Sequence, residues 1–274
     1  MKPPPFAYED PDALEGALTI LAEHGDDTVV IAGGQSLVPL LNLRLARPER
    51  VLDPRRIESL HDWHLDSNGL RVGAMVRAAA LEASPRVASE MPGLHRALVQ
   101  IGHPQIRART TIGGSLCHAD PAAELPAVLL ALDGRVTLAS VAGIREVAAR
   151  DFFTGAFTTA RRSDELLISA MFPTFPGRVT TVEVCRRSGD FAMAGAVVAL
   201  QQSQAARIAL FGVADRPERV ADAESALVAG ASAADVAAIV RGAVSPRSDV
   251  HGSATYRRHL AGVVVARALA ELGA

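Results

Sequence analysis

The chain contains 274 residues, of which 49% are hydrophobic and 21% are charged, and its formal net charge is −2 at pH 7. This composition is typical of a globular protein with two or three subdomains, and the nearly neutral charge argues against a nucleic-acid partner. No apolar run approaches the ~20 residues of a membrane-spanning helix and no signal-peptide stretch follows Met1, so we expect a cytoplasmic protein without a membrane span.

The first part of the chain has the pattern of an α+β unit. Asp10-Pro11-Asp12 predicts the first turn of a helix that continues to about Glu23 and ends at Gly25. Short β-type stretches and one further helical stretch follow, so residues 1–55 are expected to form a small unit of their own. The predicted strands are Thr28 to Ala32, Val51 to Asp53 and Leu70 to Ala74, and the predicted helix is Leu37 to Leu45.

From residue 76 to residue 132 the pattern is mainly helical, with helices predicted at Pro92 to Ile101 and at Leu125 to Leu132. Strands are then predicted at Val136 to Leu138 and at Glu165 to Phe172, with a loop at Phe152 to Gly155 between them.

The segment from Phe172 to Gly177 contains two prolines and a glycine and is the predicted linker to a C-terminal unit. Ser253 is the expected N-cap of the last helix in that unit. The predicted elements are strands at Thr180 to Arg186 and Arg207 to Val213, an apolar run from Ala192 to Leu200, and helices at 221–229, 233–242 and Ala254 to Leu272.

Two glycine-rich segments, Ile31-Ala32-Gly33-Gly34-Gln35-Ser36-Leu37 and Thr111-Ile112-Gly113-Gly114-Ser115-Leu116, lie 80 positions apart. We interpret both as turns of the same kind, because consecutive glycines permit positive φ and let bare N–H groups approach an anion. A single glycine pair after a strand is more often only a tight turn. The two together favour a dinucleotide whose pyrophosphate is held by main chain.

Lysine and cysteine usage excludes several other sites. Lys2 is the only lysine in the chain, so neither a Walker-type phosphate loop nor Schiff-base chemistry fits. Cys117 and Cys185 stand 68 positions apart and no Cys-x-x-Cys pair occurs. Iron–sulfur and zinc sites are therefore not expected, and both cysteines are expected to be free thiols.

Four segments together resemble the medium, flavin-carrying subunit of the molybdenum hydroxylases, the family of carbon monoxide dehydrogenase and of the xanthine dehydrogenase flavin domain. The segments follow the family's order across nearly the whole chain. They are Ala32 to Leu37, Thr111 to Glu124, Arg186-Arg187-Ser188-Gly189-Asp190-Phe191-Ala192 and Ser248 to Gly252.

The resemblance implies an α+β fold. Residues 1–175 would form an FAD-binding module of the vanillyl-alcohol-oxidase/PCMH type, with subdomains at about 1–55 and 56–175. Residues 178–274 would form a small C-terminal α+β domain of the carbon monoxide dehydrogenase flavoprotein type, with a short antiparallel sheet and helices.

The resemblance also implies that this chain is one subunit of three. A large subunit would hold the molybdopterin cofactor, a small subunit would carry [2Fe-2S] clusters, and this chain would pass electrons through FAD to an external acceptor. Two such heterotrimers would pair into a dimer.

Carried over position by position, the family's FAD contacts fall on glycine, apolar and polar residues, with no catalytic residue and no metal ligand in this chain. Phe191 matches an aromatic that is tyrosine in carbon monoxide dehydrogenase, and Glu124 stands where aspartate is common. The expected contacts are Ile31, Ala32, Gly33, Gly34, Gln35, Ser36, Leu37, Ile101, Thr111, Gly113, Gly114, Ser115, His118, Asp120, Glu124, Leu167 and Phe191.

The residues alone leave other roles open for many of these positions. The alternatives are core packing for Ile101 and Leu167, loop hydrogen bonds for His118 and Asp120, burial in the C-terminal domain for Phe191, and a solvated edge for Arg186 and Arg187.

Two alternative functions also remain open. A stand-alone FAD-dependent oxidoreductase of the same fold would need an acid, a base or a covalent flavin link of its own, and the sequence offers none that convinces. A flavin-free assembly subunit would not need intact glycine segments.

Overall fold

The computed structural model describes residues 2–201 and 204–274, which form a three-stranded, a five-stranded and a four-stranded sheet together with one two-stranded hairpin. Helices cover or connect the sheets. Within the described residues, no helix has the length and hydropathy that a bilayer span requires.

The first sheet is parallel, with the strand order β1-β3-β2, and two helices connect its strands. Its elements are β1 (Ala7–Glu9), α1 (Leu14–His24), β2 (Thr28–Val30), α2 (Leu37–Asn42) and β3 (Arg50–Leu52). The helix predicted from Asp10 begins four residues later, because strand β1 keeps the chain extended through Glu9, whose carbonyl accepts a hydrogen bond from the Asp53 N–H. α1 ends at Gly25 as predicted, and Gly25, with φ −57°, also opens a 3₁₀ helix.

The second sheet is antiparallel throughout, with the order β4-β5-β10-β6-β7. Its strands are β4 (Trp63–Asp66), β5 (Gly69–Gly73), β6 (Arg135–Ser140), β7 (Gly143–Ala148) and β10 (Leu166–Pro173).

The loop predicted at Phe152 to Gly155 is wrong. Phe152 ends helix α9 (Ala149–Phe152), and the next residues form the hairpin strand β8 (Phe153–Gly155), which pairs with β9 (Thr158–Thr159). Both phenyl rings are buried and meet edge to face, with ring centroids 5.2 Å apart. Because both rings are buried, this segment adopts regular secondary structure even though its local composition is typical of a loop.

Six helices lie between β5 and β6 in the chain. Helix α8 is buried along nearly its whole length and packs against both α5 and the C-terminal sheet. The helices are α3 (Ala78–Glu82), α4 (Pro85–Glu90), α5 (Pro92–Gln100), α6 (Pro104–Arg107), α7 (Ile112–His118) and α8 (Glu124–Ala131).

The C-terminal sheet is antiparallel, with the order β11-β12-β13-β14, and three helices follow it. Ser253 caps the last helix as predicted, since its hydroxyl accepts a hydrogen bond from the Tyr256 N–H. The elements are β11 (Arg178–Cys185), β12 (Ala192–Gln201), β13 (Ala205–Phe211), β14 (Glu218–Arg219), α10 (Ala221–Val228), α11 (Ala233–Ala243) and α12 (Ala254–Glu271).

One face of this sheet packs on helices α5 and α8 and the other on α12. Strand β11 shows the division, because the Thr181 hydroxyl donates to the Gly93 carbonyl of α5 while the neighbouring Thr180 hydroxyl donates to Glu271 of α12. Phe211 extends the first face into the large core and is fully buried over Gly195 of the adjacent strand.

We expect Gly195→Ala to destabilise the protein by about 1 to 3 kcal/mol, because the added Cβ would overlap the Phe211 ring and force it to move. Urea unfolding measures the change. In the double variant with Phe211→Leu the smaller side chain leaves room, so the two losses should be less than additive. Strictly additive losses would contradict this account.

Candidate functional site

A cavity of about 1480 Å³ lies where the first sheet, helix α7 and the edge of the C-terminal sheet meet. All the expected FAD contacts except Ile31 line it. Ile31 instead donates its N–H to the Leu52 carbonyl. The expected residues that line the cavity are Ala32, Gly33, Gly34, Gln35, Ser36, Leu37, Ile101, Thr111, Gly113, Gly114, Ser115, His118, Asp120, Glu124, Leu167 and Phe191.

The first glycine loop, Ala32 to Ser36, follows β2 and leads into α2. Gly34 has φ +73°, a conformation that favours glycine, and a Cβ there would lie 3.1 Å from Cγ2 of Val38. Among the described residues, we find no hydrogen-bond acceptor for the backbone N–H groups of Ala32 to Ser36. A run of free N–H groups along a cavity wall fits a bound anion such as a pyrophosphate.

The second glycine segment is not a turn of the same kind, so that prediction is wrong. Gly113 and Gly114 lie inside helix α7, and the N–H groups of both are already bonded, to the Ala74 carbonyl and to the Thr111 hydroxyl. These glycines allow close packing. A Cβ on Gly114 would lie 2.7 Å from Oγ1 of Thr111 and 3.0 Å from Cβ of Ala32, so the helix presses directly against the first glycine loop.

The apolar wall combines core residues with one exposed ring. Ile101 and Leu167 are 8% and 3% exposed and belong to the main core, so core packing and cavity lining both hold for them. Phe191 is 75% exposed, which overturns the alternative that buries it. Phe191 nevertheless lines the cavity.

The polar wall follows the end of α7. The His118 ring packs on Phe157, with centroids 5.1 Å apart. Asp120 accepts a hydrogen bond from the Ala122 N–H at 2.8 Å, so the loop role proposed for it is real, and it lines the cavity as well. The next carbonyl, that of Pro121, accepts from the Gly212 N–H at 2.7 Å, which ties this wall to the C-terminal sheet.

Two carboxyl groups near this wall have strongly raised pKa values. Burial, together with the negative charges of Glu183 and Asp120, raises the pKa of Glu124 from 4.5 to about 8. Burial also raises the pKa of Glu183 to about 7.

Besides Phe191, further residues of the C-terminal domain that were not expected as contacts line the cavity. Arg257 is 8% exposed; it donates to the carbonyls of Met193 and Gly212, each at 2.8 Å, and to Asp249 at 2.6 Å. The sequence signal for these residues lay in two segments that resemble the family, Ser248 to Gly252 and Arg186 to Ala192. Arg186 is exposed, as the solvated-edge alternative holds, yet it also lines the cavity. Cys117 and Cys185 are free thiols, as predicted.

We expect the unliganded protein to lose stability as the pH rises from 4.5 to 8. Folding raises both carboxyl pKa values, so in this window the folded state binds more protons than the unfolded state. Urea unfolding at a series of pH values measures the slope. Glu183→Gln should flatten it, while the exposed control Glu15→Gln should not. An unchanged slope in Glu183→Gln would refute the raised pKa of Glu183.

Comparisons with known proteins agree with this architecture. The family described as "FAD binding domain in molybdopterin dehydrogenase" matches residues 4–175, and the "CO dehydrogenase flavoprotein C-terminal domain" matches residues 181–272. The chain is 41% identical over 282 residues to the 6-hydroxypseudooxynicotine dehydrogenase complex subunit alpha of Paenarthrobacter nicotinovorans, covering 99% of this chain and 95% of that protein.

Similarity to carbon monoxide dehydrogenases extends over the whole length. The medium chain from Afipia carboxidovorans is 36% identical, with 98% of this chain and 97% of that protein covered. The solved carbon monoxide dehydrogenase from Hydrogenophaga pseudoflava superposes with a TM-score of 0.95 at 34% identity, covering 100% of this chain and 99% of that chain. The chain therefore belongs to the FAD-binding medium subunits of the molybdenum hydroxylases, a family of oxidoreductases.

Proposed function

We propose that this chain binds FAD in the cavity, receives electrons from a [2Fe-2S] partner subunit and passes them to an external acceptor. The observation that carries the proposal is the run of free N–H groups from Ala32 to Ser36, which faces a cavity large enough for a dinucleotide. The FAD-binding module would span residues 1–175 and the C-terminal domain residues 178–274.

Each wall of the cavity would have its own task. The Ala32 to Ser36 loop would hold the pyrophosphate through the main chain, a role that needs no lysine. Ile101 and Leu167 would exclude water from the ring systems, and His118 and Asp120 would bind hydroxyl groups of the cofactor. When bound, FAD supplies a ring that accepts and releases electrons one or two at a time. We assign no acid–base catalyst to this chain.

The partners follow from the family. A large subunit would hold the molybdopterin cofactor and oxidise the substrate, and a small subunit would carry the [2Fe-2S] clusters. The names of the relatives support a multisubunit assembly, since one is called a complex subunit and another a medium chain. A dimer of heterotrimers in the cytoplasm remains our expectation, with a quinone, a dye, oxygen or a nicotinamide as acceptor.

We expect Gly34→Val to lower FAD affinity at least about tenfold, because a branched side chain would enter the space beside the free N–H groups. Gly230→Val is the matched control, since Gly230 also has positive φ, +89°, but does not line the cavity. Titration of the FAD-free protein with FAD, and separately with FMN, measures the affinities. FMN, which lacks the pyrophosphate, should bind more weakly to the unmodified protein.

Gly114→Val should also weaken FAD binding, through displacement of Thr111 and Ala32. Its helical control is Gly242→Val, where an added Cβ meets nothing within 4 Å. If folded Gly34→Val and Gly114→Val proteins both bind FAD as tightly as the unmodified chain, the cavity is not the FAD site.

We expect the isolated chain to show no turnover with N-heterocycles, aldehydes or carbon monoxide, yet to have its flavin reduced by its cognate iron–sulfur and molybdenum subunits with their substrate. Stopped-flow absorbance of the flavin measures this reduction. A flavin that the substrate reduces in the purified single chain would favour the stand-alone oxidoreductase instead. A chain that binds no flavin would favour the assembly subunit.

A further inference from the structure

The loop between β11 and β12 begins at Arg186 and ends at Phe191. Inside it the Asp190 N–H donates to the Arg187 carbonyl at 3.0 Å, and Gly189 has φ +88°. A positive φ at the third residue of a four-residue turn is typical of a type II turn and favours glycine. We call Arg187 to Asp190 the Gly189 turn. Phe191 follows this turn directly, so the position of the turn sets the position of the Phe191 ring.

The Gly189 turn lies against His103, which precedes helix α6 in the FAD-binding module. A Cβ placed on Gly189 would overlap Cε1, Nδ1 and Nε2 of the His103 ring. The turn therefore approaches the imidazole as closely as a residue without a side chain permits. This contact joins the C-terminal domain to the FAD-binding module beside the cavity, since Gly189 itself lines the cavity.

The segment that carries His103 is held firmly from the core side. Arg107 is 8% exposed, and its Nε and Nη2 donate to the two carboxylate oxygens of Glu82 at 2.7 and 2.9 Å. Its Nη1 donates to the carbonyls of Ile101 and Gly102, each at 3.2 Å. Hydrogen bonds between charged groups in a forked geometry are strong and directional. The residues immediately before His103 are thus fixed, and His103 offers the Gly189 turn a rigid base.

Phe191 presents an aromatic ring to the cavity. It is 75% exposed and lines the cavity, and Ile101, two residues before His103, lines it as well. A planar ring of a bound ligand gains stacking energy from such a side chain. Of the two ring systems of FAD, the flavin has to exchange electrons with an external acceptor. It therefore requires a part of the cavity that is open to solvent, and Phe191 lies at such a part.

We propose that His103 is a positioning residue, whose ring holds the Gly189 turn and thereby keeps Phe191 against the flavin ring of bound FAD. The inference rests on the proposed function, because it requires FAD in the cavity. It gives the FAD-binding module the task of placing an aromatic side chain that belongs to the C-terminal domain.

The test is the flavin fluorescence of the full chain loaded with oxidised FAD, with Phe191→Tyr as the reporter. A phenol in contact with a flavin quenches its fluorescence by electron transfer, whereas a phenyl ring does not. Among the described residues that line the cavity, none is Tyr or Trp. We expect Phe191→Tyr to quench the bound flavin. Adding Gly189→Ala or His103→Ala should restore most of the lost fluorescence, because the first forces the turn away from the imidazole and the second removes it.

The chain offers matched controls. Gly230 has φ +89°, and a Cβ there meets nothing within 4 Å, so Gly230→Ala reproduces the backbone strain of Gly189→Ala without the contact. It should leave the reporter quenched. His103→Phe keeps a flat ring and should also leave it quenched, as should His64→Ala on the exposed part of β4. Because His103 is exposed, its replacement opens no cavity in the core.

FAD affinity provides a second measurement, in the chain without the reporter. Phe191→Ala should weaken FAD binding about threefold to tenfold, the range expected for the loss of one stacked aromatic pair. Gly189→Ala should weaken it to a similar extent. The double variant should bind FAD no more weakly than Phe191→Ala alone, because a ring that has already been displaced has no contact left to lose.

Two results would overturn the proposal. If Phe191→Tyr leaves the bound flavin fully fluorescent, Phe191 does not contact the flavin ring. If the reporter stays quenched in both Gly189→Ala and His103→Ala, the contact between the turn and the imidazole does not position residue 191, whatever it contributes to stability. Either result with normal FAD binding leaves the proposed FAD-binding function intact. A chain that binds no FAD overturns both.

Discussion

The constraint on which the site depends is that the backbone from Ala32 to Ser36 keeps its N–H groups free. A free N–H is stable only where a ligand or water can accept its hydrogen bond, so the loop must face an open cavity. Strand β2 delivers the chain to this loop, and Gly34 turns it through positive φ. Because main chain supplies the donors, a protein whose only lysine is Lys2 can still present an anion site.

The rest of the fold holds this loop in place. Helix α7 presses against it through Gly114, and the carbonyl of Arg109 closes on Gly33, where no Cβ would fit. These contacts join the first sheet to the helical layer of the second. The second glycine pair thus allows α7 to pack closely on the loop, whereas the first glycine pair belongs to a loop with free N–H groups.

The C-terminal domain closes the other side of the cavity and sets its electrostatics. Arg257 joins the start of β12, the residue after the end of β13 and the loop at Asp249. Glu183 is half-buried on the face of β11 that packs on α5, and burial together with the charge of Glu183 raises the pKa of Glu124. The cavity therefore has free donors on one wall and protonatable carboxyls near another, a polarity that neither domain provides by itself.

The sequence by itself determined the family, the α+β fold, the order of the main elements and sixteen of the residues that line the cavity, but not Arg257 and the other C-terminal residues there. Short-range patterns predict the elements, because apolar runs and the Ser253 cap act within a few residues. The family and the cavity residues came from the resemblance of four segments to the family. Only the tertiary structure decided that Gly113 and Gly114 are helical, that Phe152 to Gly155 are regular, and that Phe191 is exposed. It also decided the influence of Glu183 on the pKa of Glu124, since that depends on the packing of residues far apart in the chain, which local patterns do not encode.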